Sequence, residues 1–351
     1  MSLVIVGTNH RYSSIELREG ISFSKRRLQD AFCFLRETGV LKASVILSTC
    51  NRVEIYASTD TVESGIHKIK DFLCRFYEIN DKDIYPYLYI YRDEDALRHL
   101  FKVAAGLDSL ILGELQILGQ VKAAFYESVE NDFIDSFLGE VFDSAVSLAR
   151  KIHSQTRLSE GKISVGSVAV DFIKERTGTL SGKNILIIGV GKVTGLVLKY
   201  LEKEGKNIVF VSNRTFRKAQ SLANQIGARA VRFDNLKEYL KKADIVITAT
   251  RSPHFIINKE TIEGAVSCRL SAISRKRLLI VDLALPRDVD PRIKEIDGIE
   301  LFDLEDIGAA IQGNMYGKRF EAEKAEQIIE AEVERLWQGL LGLEQEKALL
   351  L

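Results

Sequence analysis

Ile185-Leu186-Ile187-Ile188-Gly189-Val190-Gly191-Lys192-Val193-Thr194-Gly195 is the stretch on which the fold turns. An apolar run of strand-forming residues ends in two glycines one residue apart and gives way to a helical segment from Lys192, in the order strand, glycine turn, helix. In that order the turn reads as a dinucleotide-binding fingerprint. The first glycine permits the tight turn, and the second lets the backbone approach a pyrophosphate at the helix N-terminus. The third fingerprint position is Thr194, followed by Gly195. The third glycine serves packing of helix on strand, so its loss leaves phosphate contact intact. Gly189, Val190, Gly191, Lys192, Val193 and Thr194 are therefore the expected cofactor contacts.

The pattern around this turn repeats. Strand Asn184–Ile188 and a helix from Lys192 are followed by strand Ile208–Val211, helix Phe216–Ile226, strand Ala228–Val231 and a helix near Leu236–Lys241. Strands Ile245–Ala249, Leu278–Asp282 and Ile299–Phe302 come next. Regular alternation with short connections predicts a doubly wound parallel sheet, a Rossmann domain over residues 158–303. The second strand runs into Ser212-Asn213-Arg214-Thr215, with Arg214 standing 23 positions after Gly191. NAD enzymes usually place an acid there for the ribose 2′-OH, whereas an arginine suits a 2′-phosphate. The expected cofactor is NADPH, with Ser212, Asn213, Arg214 and Thr215 at its ribose end.

Before this domain, residues 1–157 read as a small α/β domain with a helical extension. Strands are expected at Leu3–Gly7, Val45–Ser48 and Val53–Tyr56, and helices near Ser24–Thr38 and Val62–Phe76. From Glu94 to about Thr156 the apolar spacing turns wholly helical, with Leu138, Val141, Phe142, Ala145, Leu148, Ala149 and Ile152 on one face. Gly106 and Gly113 interrupt it and mark a structured loop. After Asp303, in the region 304–351, a long charged helix is expected from roughly Gly317 to Leu343. Its narrow apolar stripe of Ala325, Ile328, Ile329, Val333, Leu336 and Leu340 needs a partner, either another subunit or the rest of the chain.

Composition narrows the function classes. Lys plus Arg and Asp plus Glu are 49 each, so no global field attracts nucleic acid. No apolar run approaches the ~18 residues of a membrane span, and the stretch Leu3 to Val6 lacks the basic lead-in of a signal peptide. A cytoplasmic protein without a membrane partner is expected. Cys33, Cys50, Cys74 and Cys268 are widely separated, with neither a disulfide framework nor a zinc-like pair, so no metal is expected. Cys33 and Cys74 fall within amphipathic helices and read as packing residues. Cys50 sits in Ser48-Thr49-Cys50-Asn51-Arg52, between two strand-like runs, where a side chain can stand exposed and Arg52 can stabilise a thiolate.

Five further stretches carry a resemblance. Gly7-Thr8-Asn9-His10, the run Leu47 to Tyr56 (LSTCNRVEIY), the run Ala105 to Lys122 (AGLDSLILGELQILGQVK), Ser212-Asn213-Arg214-Thr215 and the run Val281 to Asp288 (VDLALPRD) resemble those of glutamyl-tRNA reductases. The likeness extends from the first strand to the long helix. It implies NADPH-dependent reduction of glutamyl-tRNA(Glu) to glutamate-1-semialdehyde, the first step of five-carbon tetrapyrrole (porphyrin) biosynthesis. It also implies that Cys50 is the nucleophile, forming a thioester. Thr49, Asn51, Arg52, Ser109, Glu114, Leu115, Gln116 and Gln120 then line the glutamyl pocket, and His99 is important for activity. Without the resemblance His99 reads as a helix-face histidine, and Glu114 and Gln120 as solvated. Most family members have proline at the position of Leu115, and most continue past the long helix into a helical dimerisation domain. The implied partners are glutamyl-tRNA, a second copy of the chain through the long helix, and glutamate-1-semialdehyde aminomutase as the next enzyme. Two other readings are an NADP-dependent dehydrogenase of a free small acid, to which Asn213-Arg214-Thr215 is also similar, and a binding paralogue without activity. The first leaves Cys50 without a role, and the retained Cys50, His99 and Arg214 oppose the second.

Overall fold

The structure, a computed structural model, describes residues 1–159, 164–204, 208–266, 277–312 and 319–349. The chain forms two compact units, Met1–Gly161 together with Met315–Leu351, and Lys162–Asn314.

The first unit is built on an antiparallel sheet of β1 (Ser2–Asn9), β2 (Ala43–Ser48), β3 (Arg52–Thr59) and β4 (Tyr89–Arg92), in the order β2-β3-β1-β4. Strand side chains alternate between faces, and here both faces are buried. Leu3, Ile5, Val45, Leu47 and Tyr56 face a core shared with the helices Asp93–Ala104, Leu115–Glu130 and Ser136–Gln155. Val4, Val6, Ile46, Val53 and Ile55 face the helices Lys25–Thr38 and Val62–Tyr77. Strand β4 and the short helix Ile15–Gly20 have no counterpart in the sequence reading. Four residues give too little alternation to register as a strand, and β4 exists because Val4 to Gly7 of β1 offer it a pairing edge.

The helix Arg319–Leu349 belongs to this first unit and does not form a region of its own. Its stripe is covered by the chain itself. Ala325, Ile329, Val333, Leu336, Trp337 and Leu340 are buried in the same core as Leu97, Leu100 and Leu148. Arg98 to Glu330 (2.8 Å) and Lys102 to Glu326 (3.4 Å) border that contact.

The second unit carries the parallel sheet β10-β9-β8-β5-β6-β7, from β5 (Asn184–Ile188), β6 (Ile208–Ser212), β7 (Arg229–Val231), β8 (Ile245–Thr248), β9 (Leu278–Asp282) and β10 (Ile299–Phe302). The order reverses at β5, as in a doubly wound fold, and ligands of such sheets bind beyond the carboxyl ends of the strands at that reversal. An additional helix, Leu304–Gln312, follows β10. Among the described residues no helix is long and apolar enough to cross a membrane.

Candidate active site

Cys50 occupies the apex of the β2–β3 hairpin. Ser48 pairs with Val53, which leaves Thr49, Cys50, Asn51 and Arg52 to make the reversal. Thr49 builds it: its N–H donates to the Arg52 carbonyl (2.9 Å), and its Oγ1 accepts from the N–H groups of Asn51 and Arg52 (3.2 Å each). A threonine hydroxyl that stands in for a backbone acceptor in this way is a recurrent turn device. The β1 turn packs beside it. Asn9 pairs with Arg52 in the sheet register, and the His10 N–H donates to the Asn51 carbonyl (3.0 Å).

Beneath the hairpin lies a buried polar network centred on Glu54. Arg52 and Glu54 sit two residues apart on β3 and so face the same side. The Arg52 guanidinium contacts Glu54 Oε1 at 2.7 Å and Asp108 Oδ2 at 2.9 Å, and it also donates to the Asp108 carbonyl. The hydroxyls of Tyr56 and Tyr89 donate to the Glu54 carboxylate, and His99 Nε2 lies 2.7 Å from Glu54 Oε1. The room for this side chain comes from Gly7, opposite Glu54 in the register. A Cβ there would stand 2.6 Å from the Val53 oxygen and 2.7 Å from Glu54 Cγ. Burial alone would raise the Glu54 carboxyl, but Arg52, His99 and Tyr56 together hold it well below the ordinary carboxylate range.

This arrangement changes the reading of Arg52. Its charge is engaged by Glu54 and Asp108, and the thiol of Cys50 is pushed up to about 12, first by burial and then by the Glu114 carboxylate. Arg18 and Arg52 oppose that rise without overcoming it. Cys50 therefore rests as a thiol, and a proton must leave when it attacks.

Glu114 is buried, at 7% exposure, and its carboxyl is lifted to about 7 by burial. It precedes the helix Leu115–Glu130, at the end of a loop in which Gly106 and Gly113 both take positive φ (76° and 78°) and Gly113 N–H donates to the Gly106 carbonyl. Gln116 is half-buried and Gln120 exposed, four residues apart on one helix face. Leu115 is exposed, at 55%, and Ser109 is half-buried. Of the other cysteines, Cys74 packs against the core, but Cys33 is exposed, which corrects its reading as a packing residue. Cys268 lies outside the described residues.

The residues expected to hold the cofactor gather at the carboxyl edge of the second unit. Gly189 has φ 109°, and a Cβ on it would strike the Ala249 oxygen at 2.6 Å, so the turn requires glycine. Around Gly191 the nearest atom to a Cβ is 3.9 Å away. The protein itself would admit a side chain there, and glycine leaves that space open. Gly191 is the N-cap of the helix Lys192–Leu201 and offers no side-chain cap to its N–H groups. Buried hydroxyls of Thr194 and Ser212 lack partners among the described residues, and Arg214 is exposed at the end of β6. These features fit a dinucleotide whose pyrophosphate meets the helix N-terminus. The carboxyl ends of β8 and β9 are tied by Asp282. It accepts from Thr248 Oγ1 (2.7 Å) and from the N–H groups of Ala284 (3.0 Å), Asp288 (2.9 Å) and Val289 (2.9 Å), which shapes the loop at that edge. A cavity of about 340 Å³ lined by Lys183, Asp244, Ile245 and Leu279 lies at the opposite, amino edge.

Residues 6–156 match the model of the glutamyl-tRNAGlu reductase N-terminal domain, and residues 171–310 that of shikimate/quinate 5-dehydrogenase. A glutamyl-tRNA reductase of Desulfitobacterium hafniense is 37% identical over 332 residues, 95% of this chain and 74% of the relative. The chain belongs to the glutamyl-tRNA reductase family. The reductase of Bacillus subtilis is 36% identical, over 98% of this chain and 75% of its own. The solved glutamyl-tRNA reductase of Methanopyrus kandleri matches with a TM-score of 0.53 and 34% identity, over 98% of this chain and 82% of that one.

Within the reductase family frame, the hairpin brings Thr49, Cys50, Asn51 and Arg52 together with the His10 turn. His99 is buried on its helix and reaches the hairpin through Glu54, and Glu114 is buried rather than solvated, whereas Gln120 is exposed. Glu54, Asp108, Tyr56 and Tyr89 were not singled out from the sequence. The period-two spacing of Arg52, Glu54 and Tyr56 was the available signal, because three polar-headed side chains on one face of a strand buried on both sides must satisfy one another.

Proposed function

We propose that the chain reduces the glutamyl group of glutamyl-tRNA(Glu) to glutamate-1-semialdehyde with NADPH and releases the tRNA, in the cytoplasm, as the first step of tetrapyrrole synthesis. Family membership supports the substrate, and the observation that carries the mechanism is Cys50 at the apex of a hairpin braced by Thr49.

Cys50 Sγ attacks the ester carbonyl. The S–C bond forms, the C–O bond to the terminal ribose breaks, and the thiol proton ends on the departing oxygen. Glu114 takes that proton and returns it, because a buried carboxyl with an affinity near neutrality can do both. Thr49, Asn51, Ser109, Gln116 and Gln120 surround the glutamyl group, with Leu115 at the rim. Arg52 and His99 act as positioning residues through Glu54, holding the hairpin apex in place. When bound, NADPH would supply the hydride that takes the thioester to aldehyde and frees the Cys50 thiolate. Gly189 to Thr194 would hold its pyrophosphate and Ser212 to Thr215 its ribose end, with Arg214 facing the 2′-phosphate. Hydride transfer requires the reacting atoms within ~3–3.5 Å of each other.

The semialdehyde passes to the aminomutase. A homodimer involving the long helix uses surfaces other than the buried stripe. NADPH oxidation with charged tRNA, compared with free glutamate and with the Cys50→Ser variant, tests the reading. Oxidation is expected only with charged tRNA and wild-type enzyme. Turnover of free glutamate, or a fully active Cys50→Ser variant, would overturn it.

A further inference from the structure

The β1 turn, Asn9 to Ser13, is closed by its own hydrogen bonds, is bonded to Asn51 next to Cys50, and has no part in the chemistry above. The Asn9 carbonyl accepts from the N–H groups of Tyr12 (2.9 Å) and Ser13 (3.0 Å), and Asn9 Oδ1 accepts from the Arg11 N–H (2.9 Å). Three links fasten this turn to the site. His10 N–H bonds the Asn51 carbonyl, Arg11 Nη1 lies 3.0 Å from Asp108 Oδ1, and the Tyr12 ring meets Tyr89 edge-on with centroids 5.1 Å apart. Tyr89 in turn contacts Tyr91 (5.3 Å), which stacks on His99 (4.2 Å). A run of aromatic rings thus leads from the buried Glu54 network to the surface, and Tyr12, half exposed at 50%, is its outer end. Arg11 beside it is 57% exposed.

We propose that Tyr12 and Arg11 form the seat of the substrate's terminal nucleotide, with Tyr12 stacking on the adenine base and Arg11 meeting its phosphate. This inference rests on the glutamyl-tRNA reading. The base is attached to the same ribose that carries the reacting ester, so it lies within about one sugar's breadth of that ester when Cys50 attacks it, and the Asn9–Ser13 turn is bonded to the hairpin that carries Cys50. A chain with equal numbers of basic and acidic residues has no global field to hold RNA. Unpaired RNA ends are instead gripped by aromatic stacking on splayed bases, supplemented by local cations. An exposed tyrosine beside an exposed arginine provides both.

The test pairs protein and substrate changes. KM is measured for wild type and Tyr12→Ala with glutamyl-tRNA ending in adenosine or in an abasic nucleotide. Either change alone is expected to raise KM about tenfold with kcat little altered, and the two together no further. Tyr12→Phe and Tyr12→Trp restore the wild-type KM, and Arg11→Gln lowers the slope of log KM against log salt by about one. Multiplying losses, or a Tyr12→Ala variant that distinguishes the two substrates as wild type does, would overturn the seat. Failure of wild type to turn over the intact charged tRNA would instead overturn the functional reading on which the seat depends.

Discussion

Burial lifts the Glu114 carboxyl, and the charge on Glu114 adds to the burial that raises the Cys50 thiol, so the behaviour of the two acids separates electrostatics from proton transfer. Removing the Glu114 charge with Glu114→Gln lowers the thiol's pKa, so iodoacetamide should modify Cys50 severalfold faster at pH 8 than in wild type. The same variant should form the thioester more slowly, having lost its base. Opposite effects in the two assays identify Glu114 as the base, and equal slowing in both would exclude it. Stability follows the sign of the shift. The folded-state value, about 7, lies above the ordinary carboxyl value, so Glu114 favours folding in acid and loses that contribution as pH rises through 7. Glu114→Gln should therefore raise Tm at pH 8 and leave it nearly unchanged at pH 5, as thermal melts can show. At the cofactor end, Arg214→Ala should weaken NADPH binding by about 10- to 150-fold, the worth of a lost charge-assisted contact, and spare NADH. Equal weakening of both cofactors, measured by titration, would remove Arg214 from the 2′-phosphate.

Elements were legible in the sequence wherever one periodicity persisted. The β5–turn–helix unit, the parallel strands and the apolar stripe of the long helix are all local patterns, and the structure reproduces each within a few residues. What escaped is non-local. Strand β4 depends on an edge supplied by residues some eighty positions earlier in the chain, and the Glu54 network joins β3, β4, the loop at Asp108 and the helix of His99. The same distinction explains Arg52: proximity in sequence suggested a partner for Cys50, whereas the fold gives it Glu54 and Asp108. Two substitutions probe these elements. Glu54→Gln leaves Arg52 and His99 facing a neutral amide in a buried site and should cost about 3–5 kcal/mol in chemical denaturation. Ile329→Ala, within the buried stripe, should cost about 2–4 kcal/mol regardless of protein concentration, because its partners lie in the same chain. A concentration-dependent loss would show that a second copy covers the stripe.

For the whole molecule, the proposed reading puts the thiol on the first unit and the dinucleotide site on the second, and so divides the reaction into acyl capture and reduction. If capture comes first, water is the available acceptor whenever the reductant is missing. Cofactor-free enzyme should then hydrolyse glutamyl-tRNA slowly, and added NADPH should divert the same intermediate to aldehyde. Gly191→Val, which fills the space beside the helix N-terminus, should abolish reduction and keep hydrolysis. Rapid-quench mass spectrometry of wild-type protein mixed with glutamyl-tRNA in the absence of NADPH reads the central step directly. The predicted result is one added glutamyl group on the Cys50 peptide, absent in Cys50→Ser, with tRNA released at the rate the adduct forms. An unmodified Cys50 and tRNA release no faster than in buffer would contradict it.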